Sequence, residues 1–490
     1  MFKLNFDIKK HFLENGLEVL TIKKDTQISA INLGVKVGAM YETKEEKGIS
    51  HFVEHMLFKG TKTRKNEILN EELENLGGEY NAYTDYESTV YTISCLSEEI
   101  ENATKLIADM AKNSNFLEEE MKKERGVILA EIRTGKDDIE DLTFKKVNEI
   151  AFDKSFLKFD VTGTEENVKN FTRDDIYKFY KKYYTPKNAL VTLVSSMEHK
   201  DALNMIKDNF SNWSGEKVLK PLIIKEDNIL KKVTSYKENI EQSTIIYLYT
   251  FYHLNKEEEL PLRILNHRLG ESSNSLLFRE IRENKGLAYD IYTNLEVTKN
   301  IKSLYIYTSV ADEDIEKTLD AIDEVINKVI TKEIKIGQRD LEIMKKVHKT
   351  AVISTLEDSA DLCNYILHQE LAEDDIFEFI KDMESLNTLN VDKIYNFKTG
   401  CVKPECLHEG WQTSGSAKVV RMAFNLYCNG TPSVDDEQDT EEQVDECRRY
   451  SVEDLFCCCY APYFWQAIQI RYPEYATYNK NLYAMFGGND

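Results

Sequence analysis

The sequence predicts an α+β protein: two homologous domains, each a mostly antiparallel sheet packed with helices, and a C-terminal segment of different character. Three observations predict this. Strand and helix patterns alternate without the regular spacing of βαβ units, which argues against a doubly wound parallel sheet. A helix, a glycine stop and an aromatic strand in the first half return in the second. Composition then changes near Thr399.

The elements follow in order. Phe12 to Leu20 carries an Asn15-Gly16 turn signal between strand-like runs, and Ile28 to Val37 alternates apolar and polar positions. Gly48 to Lys59 reads as a helix, as does Asn66 to Leu76, which Gly77-Gly78 stops. Tyr80 to Cys95 is rich in Tyr, Thr, Val and Ile and reads as strand. Helical patterns run from about Ser97 to Arg133, and Ala189 to Ser195 reads as a strand before another helix. Ser214-Gly215 and Pro221 interrupt the pattern. These breaks divide the chain into a first domain at 1–215, a second at 225–397 and a cysteine-rich module at 398–490.

The repeat is short but ordered. Glu71 to Gly77 followed by Tyr80 to Thr84 resembles Arg279 to Gly286 followed by Tyr289 to Thr293. Met121-Lys122-Lys123 leading to Val127-Ile128-Leu129 is echoed by Met344-Lys345-Lys346 leading to Ala351-Val352-Ile353. That register sets Glu124 against Val347 and Glu131 against Ser354, so the second copy keeps the scaffold and loses the carboxylates.

A chain of 490 residues is too long for one core. Acidic residues outnumber basic ones by 86 − 63 = 23, which speaks against nucleic acid as a partner. No run of 18 or more apolar residues exists, so no membrane-spanning helix is expected. Met1 to Asp7 lacks the apolar centre of a signal peptide, which makes the cytoplasm the expected compartment. Of the nine cysteines, only Cys95 and Cys363 precede Thr399. Cys401, Cys406 and His408 could begin a metal site with Cys457 to Cys459, but no paired CxxC spacing supports it. A small helical module with buried, reduced cysteines is the plainer expectation.

The chemistry concentrates in His51-Phe52-Val53-Glu54-His55. Two histidines four residues apart stack on one helix face and can hold one Zn²⁺, while Glu54 projects close to that face. A catalytic zinc needs a third protein ligand and a water whose proton a nearby carboxylate can take. Two surface histidines on an amphipathic helix are the plain alternative. Further along, Glu124 and Glu131 lie two helical turns apart and face the same way. Val127, Ile128 and Leu129 between them suggest a largely buried helix, where unpaired carboxylates are costly and call for a metal or a cationic partner. Salt bridges within the helix are the alternative.

Gly48 to Thr61, with His51-Phe52-Val53-Glu54-His55 inside it, resembles the inverted zinc motif of the pitrilysin family, which includes insulin-degrading enzyme and the mitochondrial processing peptidase. The resemblance covers about residues 1–397. It implies a zinc endopeptidase with His51, His55 and Glu131 as ligands, Glu54 as general base and Glu124 as a supporting carboxylate. It also implies that Asn81, Ala82 and Tyr83, within Gly77 to Thr84, lie on an edge strand to which a peptide adds as a further strand. Leu277 to Tyr289 resembles the family's second signature, in which residues at the positions of Arg282 and Tyr289 reach the scissile bond. With one pair of homologous domains the chain resembles the processing-peptidase branch. It is then expected to act on short or unfolded peptides as a homodimer or as a heterodimer with a related subunit, the Arg and Tyr coming from the partner. The other readings are a non-catalytic member that binds peptides or a partner subunit, and an unproductive fusion. The last arises because the closing strand expected after a helix at about residues 389–397 is replaced by the cysteine-rich segment.

Overall fold

The computed structural model describes residues 5–388, except Asn239, Lys332, Lys335 and Ile336, together with Phe464. The expected closing strand and the cysteine-rich module therefore lie outside the described residues, apart from Phe464.

The first half builds one sheet from β1 (Phe6–Phe12), β2 (Glu18–Lys24), β3 (Ile28–Val35), β4 (Glu79–Thr84), β5 (Thr89–Leu96) and β6 (Ala189–Ser195). Their order is β1-β2-β6-β3-β5-β4, antiparallel except for the parallel pair β2–β6. The expected strand at Tyr80 to Cys95 is thus a hairpin. Asp85 breaks it by accepting the Glu87 and Ser88 amides at 2.6 Å each, an Asx-type turn. Helices α1 (Ile49–Leu57), α2 (Asn66–Asn75), α3 (Ile100–Asn113), α4 (Glu118–Asp137), α5 (Ile139–Ala151), α6 (Glu165–Asn170), α7 (Arg173–Tyr183) and α8 (His199–Phe210) complete this half. Phe52, Val53 and Met56 of α1 join Leu33, Tyr91, Ile107 and Phe179 in one buried core.

Residues 214–237 carry no helix or strand. The second half then sets β7 (Ser243–Thr250), β8 (Ala288–Val297) and β9 (Lys302–Val310) in the antiparallel order β7-β9-β8. Its helices are α9 (Lys256–Asn266), α10 (Ile315–Ile330), α11 (Gln338–Glu357), α12 (Ser359–Leu371) and α13 (Glu378–Thr388).

The halves exchange helices. Leu362, Cys363, Ile366 and Leu367 of α12 pack on Leu20, Ala30, Leu190 and Val194 of the first sheet. Gly34 permits this approach, because a Cβ there would stand 3.1 Å from Leu367 Cδ1. Reciprocally, Phe144 of α5 stacks on Tyr307 at 6.1 Å, and Thr143 meets Thr244 at 2.6 Å on the second sheet. The aromatic and apolar burial in both seams is the kind of area that dominates packing energetics.

The internal repeat takes a different register from the sequence expectation. α4 and α11 are both 20 residues long, and α5 and α12 both 13. Their starts are separated by 338 − 118 = 220 and 359 − 139 = 220 residues. Asp138 and Asp358 each cap the helix that follows, accepting the amides of Asp141 and Asp361 respectively. Glu124 therefore stands opposite buried Met344 and Glu131 opposite Ala351, in place of Val347 and Ser354. The second copy still lacks both carboxylates.

Candidate metal centre

Helix α1 begins at Gly48, whose φ of +95° and crowding favour glycine: a Cβ would lie 2.6 Å from the Thr162 carbonyl oxygen. Gly48 offers no capping side chain. Glu42 does so from a distance, accepting the Gly48 amide at 3.0 Å and the Ser50 amide at 2.8 Å. Burial pushes the Glu42 carboxyl up to about 7, with these two bonds working in the other direction.

One turn on, the face carrying His51 and His55 turns towards α4. The two Nε2 atoms stand 3.2 Å apart. Glu131 approaches His51 Nε2 through Oε1 and His55 Nε2 through Oε2, each at 3.6 Å. One donor atom from each of the three residues fits within 4.8 Å, a grouping that could hold a metal ion. Two nitrogens about 2.0 Å from one tetrahedral zinc stand roughly 3.3 Å apart, so the spacing fits that ion.

Glu124 works from behind this face. Its Oε1 accepts from His55 Nδ1 at 2.9 Å, and its Oε2 pairs with Lys59 Nζ at 2.9 Å. Burial would raise the Glu124 pKa, but the bonds from His55 and Lys59 outweigh it and hold the carboxyl below its usual range. An ionised Glu124 fixes the proton on Nδ1 and leaves Nε2 as a lone-pair donor, the usual role of a carboxylate behind a ligating imidazole. Burial lowers the His55 pKa, yet these carboxylates outweigh it and the net direction is up. His51 is pushed down to about 3, by burial first and then by His55, so it stays neutral and able to donate a lone pair. Among the described residues its Nδ1 has no hydrogen-bond partner.

Glu54 is buried on the same helix and its Oε2 accepts from Thr84 Oγ1 at 2.7 Å. Burial raises its pKa, and the Thr84 bond opposes that. Thr84 ends β4, the edge strand of the first sheet. On that strand Asn81 and Ala82 are exposed to half-buried, and Tyr83 bonds to Asn364 at 2.8 Å and His368 at 2.6 Å of α12.

The structure thus brings His51, Glu54, His55, Glu124 and Glu131 together. Arg282 and Tyr289 form a separate pair. Arg282 lies 4.6 Å from the Tyr289 ring and 4.7 Å from that of Phe278. Tyr289 is the extra residue of a bulge between Ala288 and Asp290 and is 75 % exposed. Among the described residues, the ring and ion-pair contacts of Arg282 are with Phe278, Tyr289 and Glu283, all in the second half. The expectation of a largely buried α4 is corrected, because Val127 is 51 % exposed and only Ile128 of the three apolar residues is fully buried.

Sequence reasoning missed Glu42, Lys59 and Thr84. Lys59 and Thr84 lay inside motifs already singled out, but nothing in their spacing announced a bond to Glu124 or Glu54. Glu42 sits among charged residues, and only its burial marks it out.

Two α+β copies, of which one offers a His-His-Glu donor set with a neighbouring carboxylate, define a scaffold suited to metal-assisted hydrolysis. Residues 18–165 match the family described as insulinase (peptidase family M16), and residues 170–347 match the peptidase M16 inactive domain. The chain belongs to peptidase family M16. Residues 373–484 match a family of unknown function. An uncharacterised zinc protease of Rickettsia bellii is 36 % identical over 318 residues, covering 64 % of this chain and 76 % of the relative. A similar protein of Bacillus subtilis is 29 % identical over 391 residues, 79 % of this chain and 94 % of the relative. The mitochondrial-processing peptidase subunit beta of Dictyostelium discoideum is 30 % identical over 219 residues, 44 % of this chain and 47 % of its own length. A protease structure from Helicobacter pylori superposes with a TM-score of 0.74 at 22 % identity, covering 80 % of this chain and 95 % of that one.

Proposed function

We propose that this chain is a zinc-dependent endopeptidase acting on short or unfolded peptides. One observation carries the reading: the Nε2 atoms of His51 and His55 converge at 3.2 Å, with both Glu131 oxygens 3.6 Å away and Glu54 on the same helix. His51, His55 and Glu131 would hold zinc, and Glu124 would orient His55. Zinc bound there supplies a Lewis acid that brings the pKa of a water towards 7 and polarises a carbonyl. Glu54 takes the water's proton and passes it to the departing amine, a role suited to a carboxyl whose pKa burial has raised. The peptide adds to the β4 edge, where main-chain hydrogen bonds hold it without demanding a particular sequence.

Arg282 and Tyr289 can steady the developing oxyanion and the substrate backbone if the second half of a related subunit faces the zinc site. Relatives named as processing-peptidase subunits support such an assembly. The test is cleavage of a peptide library with and without chelator, and with Glu54→Gln. Chelation and the substitution should each remove activity, the latter by ~10²–10⁴-fold with zinc retained. Undiminished cleavage in either arm overturns the reading.

A further inference from the structure

The hydroxyl of Thr84 has one proton and two neighbours of interest. Glu54 Oε2 lies 2.7 Å from Thr84 Oγ1, whereas Thr89 Oγ1 lies 3.4 Å away. Thr89 spends its own proton on the Val37 carbonyl at 2.8 Å. The Thr84 proton therefore goes to the nearer and stronger acceptor, the Glu54 carboxylate. A serine or threonine hydroxyl can point its single donor at only one such acceptor.

Thr84 is also the last residue of β4, paired with Thr89 of β5 across the hairpin. Its neighbour Tyr83 points to the opposite face, as alternation along a strand requires, and there meets Asn364 and His368 of α12. Thus β4 is held on one face by the second half and on the other by the carboxylate of α1. Burial leaves Glu54 few other ways to hold its rotamer, since among the described residues Thr84 is the partner that hydrogen-bonds its side chain.

We infer that Thr84 is a positioning residue for Glu54: its hydroxyl fixes the carboxylate that receives the water's proton, and ties that carboxylate to the strand on which a peptide docks. The inference rests on the peptidase reading for its functional meaning, though the bond itself does not. Docking and water activation then share one rigid element. A hydrogen bond to a charged group is worth enough to hold a single rotamer against its alternatives.

Two measurements decide it. In the metal-free protein, a double-mutant cycle between Thr84→Val and Glu54→Leu, read by thermal melting, should be clearly non-additive. Additive shifts overturn the bond, whether or not the protein proves to be a peptidase. In the zinc-loaded protein, Thr84→Val should lower kcat roughly tenfold with KM and zinc content unchanged, and Thr84→Ser should restore it. A Thr84→Val protein with wild-type kcat overturns the inference. So does a parallel change in KM or zinc content, or a failure of Thr84→Ser to rescue, since either outcome indicates a packing role. If wild-type protein cleaves nothing while the cycle is non-additive, the peptidase reading falls and the positioning of Glu54 stands.

Discussion

The helix pairs α4–α5 and α11–α12 have matching lengths in both halves, and their second members, α5 and α12, start from equivalent aspartate caps and each cross to the opposite sheet. They differ on the face that matters. α4 carries Glu124 and Glu131 towards two histidines, and α11 presents Met344 and Ala351 at the same positions. A helix scaffold can therefore be retained in full while its carboxylates are exchanged for apolar residues, Met344 buried and Ala351 exposed. Met344 is buried without any charge to satisfy, whereas Glu124 is buried only because His55 and Lys59 satisfy both its oxygens.

Several changes would break or sharpen this contrast. The largest effect is expected from Glu131→Gln, which should abolish stoichiometric zinc binding in metal analysis, while Ala351→Gln in the second half should leave one zinc per chain. Equal zinc content in the two variants would mean that the halves do not differ as described. Glu124→Met gives the first half the residue of the second. Zinc affinity should fall about 10–100-fold, the usual effect of losing a carboxylate behind a ligating histidine. Competition with a fluorescent chelator measures it, and an unchanged affinity would leave Glu124 without a supporting role.

The smallest effect concerns pH. His51 has a folded pKa pushed down to about 3 against 6.5 for the free group. The unfolded chain takes up a proton that the folded chain refuses, so the metal-free protein should lose stability as pH falls from about 6.5 towards 3. A His51→Asn variant, which lacks that titration, should have a flatter melting profile over the same window. Identical slopes would show that His51 is not buried as a neutral imidazole.

Much of the site was legible in the sequence because helical periodicity alone places His51 beside His55 and Glu124 beside Glu131. The register of the repeat was not. Met121-Lys122-Lys123 and Met344-Lys345-Lys346 look alike, yet they are 223 residues apart where the helices are 220 apart. A slip of three residues is nearly one helical turn, so the amphipathic phase hardly changes and pattern matching does not detect it. The two aspartate caps, which mark absolute position and not phase, would have settled it. The bonds from Thr84 to Glu54 and from Glu42 to the start of α1 were illegible for another reason: they join residues that only the fold brings together.

The exchange of α5 and α12 has a consequence for the integrity of the chain. Each half completes its sheet with a helix that belongs, in sequence, to the other. Cutting the backbone between residues 214 and 237 would not release two free domains, because each fragment would still be plugged into its neighbour by a buried aromatic or aliphatic seam. In mechanical terms the covalent link there is redundant: the halves are interlocked like clasped hands, and the peptide bond between them carries little of the load.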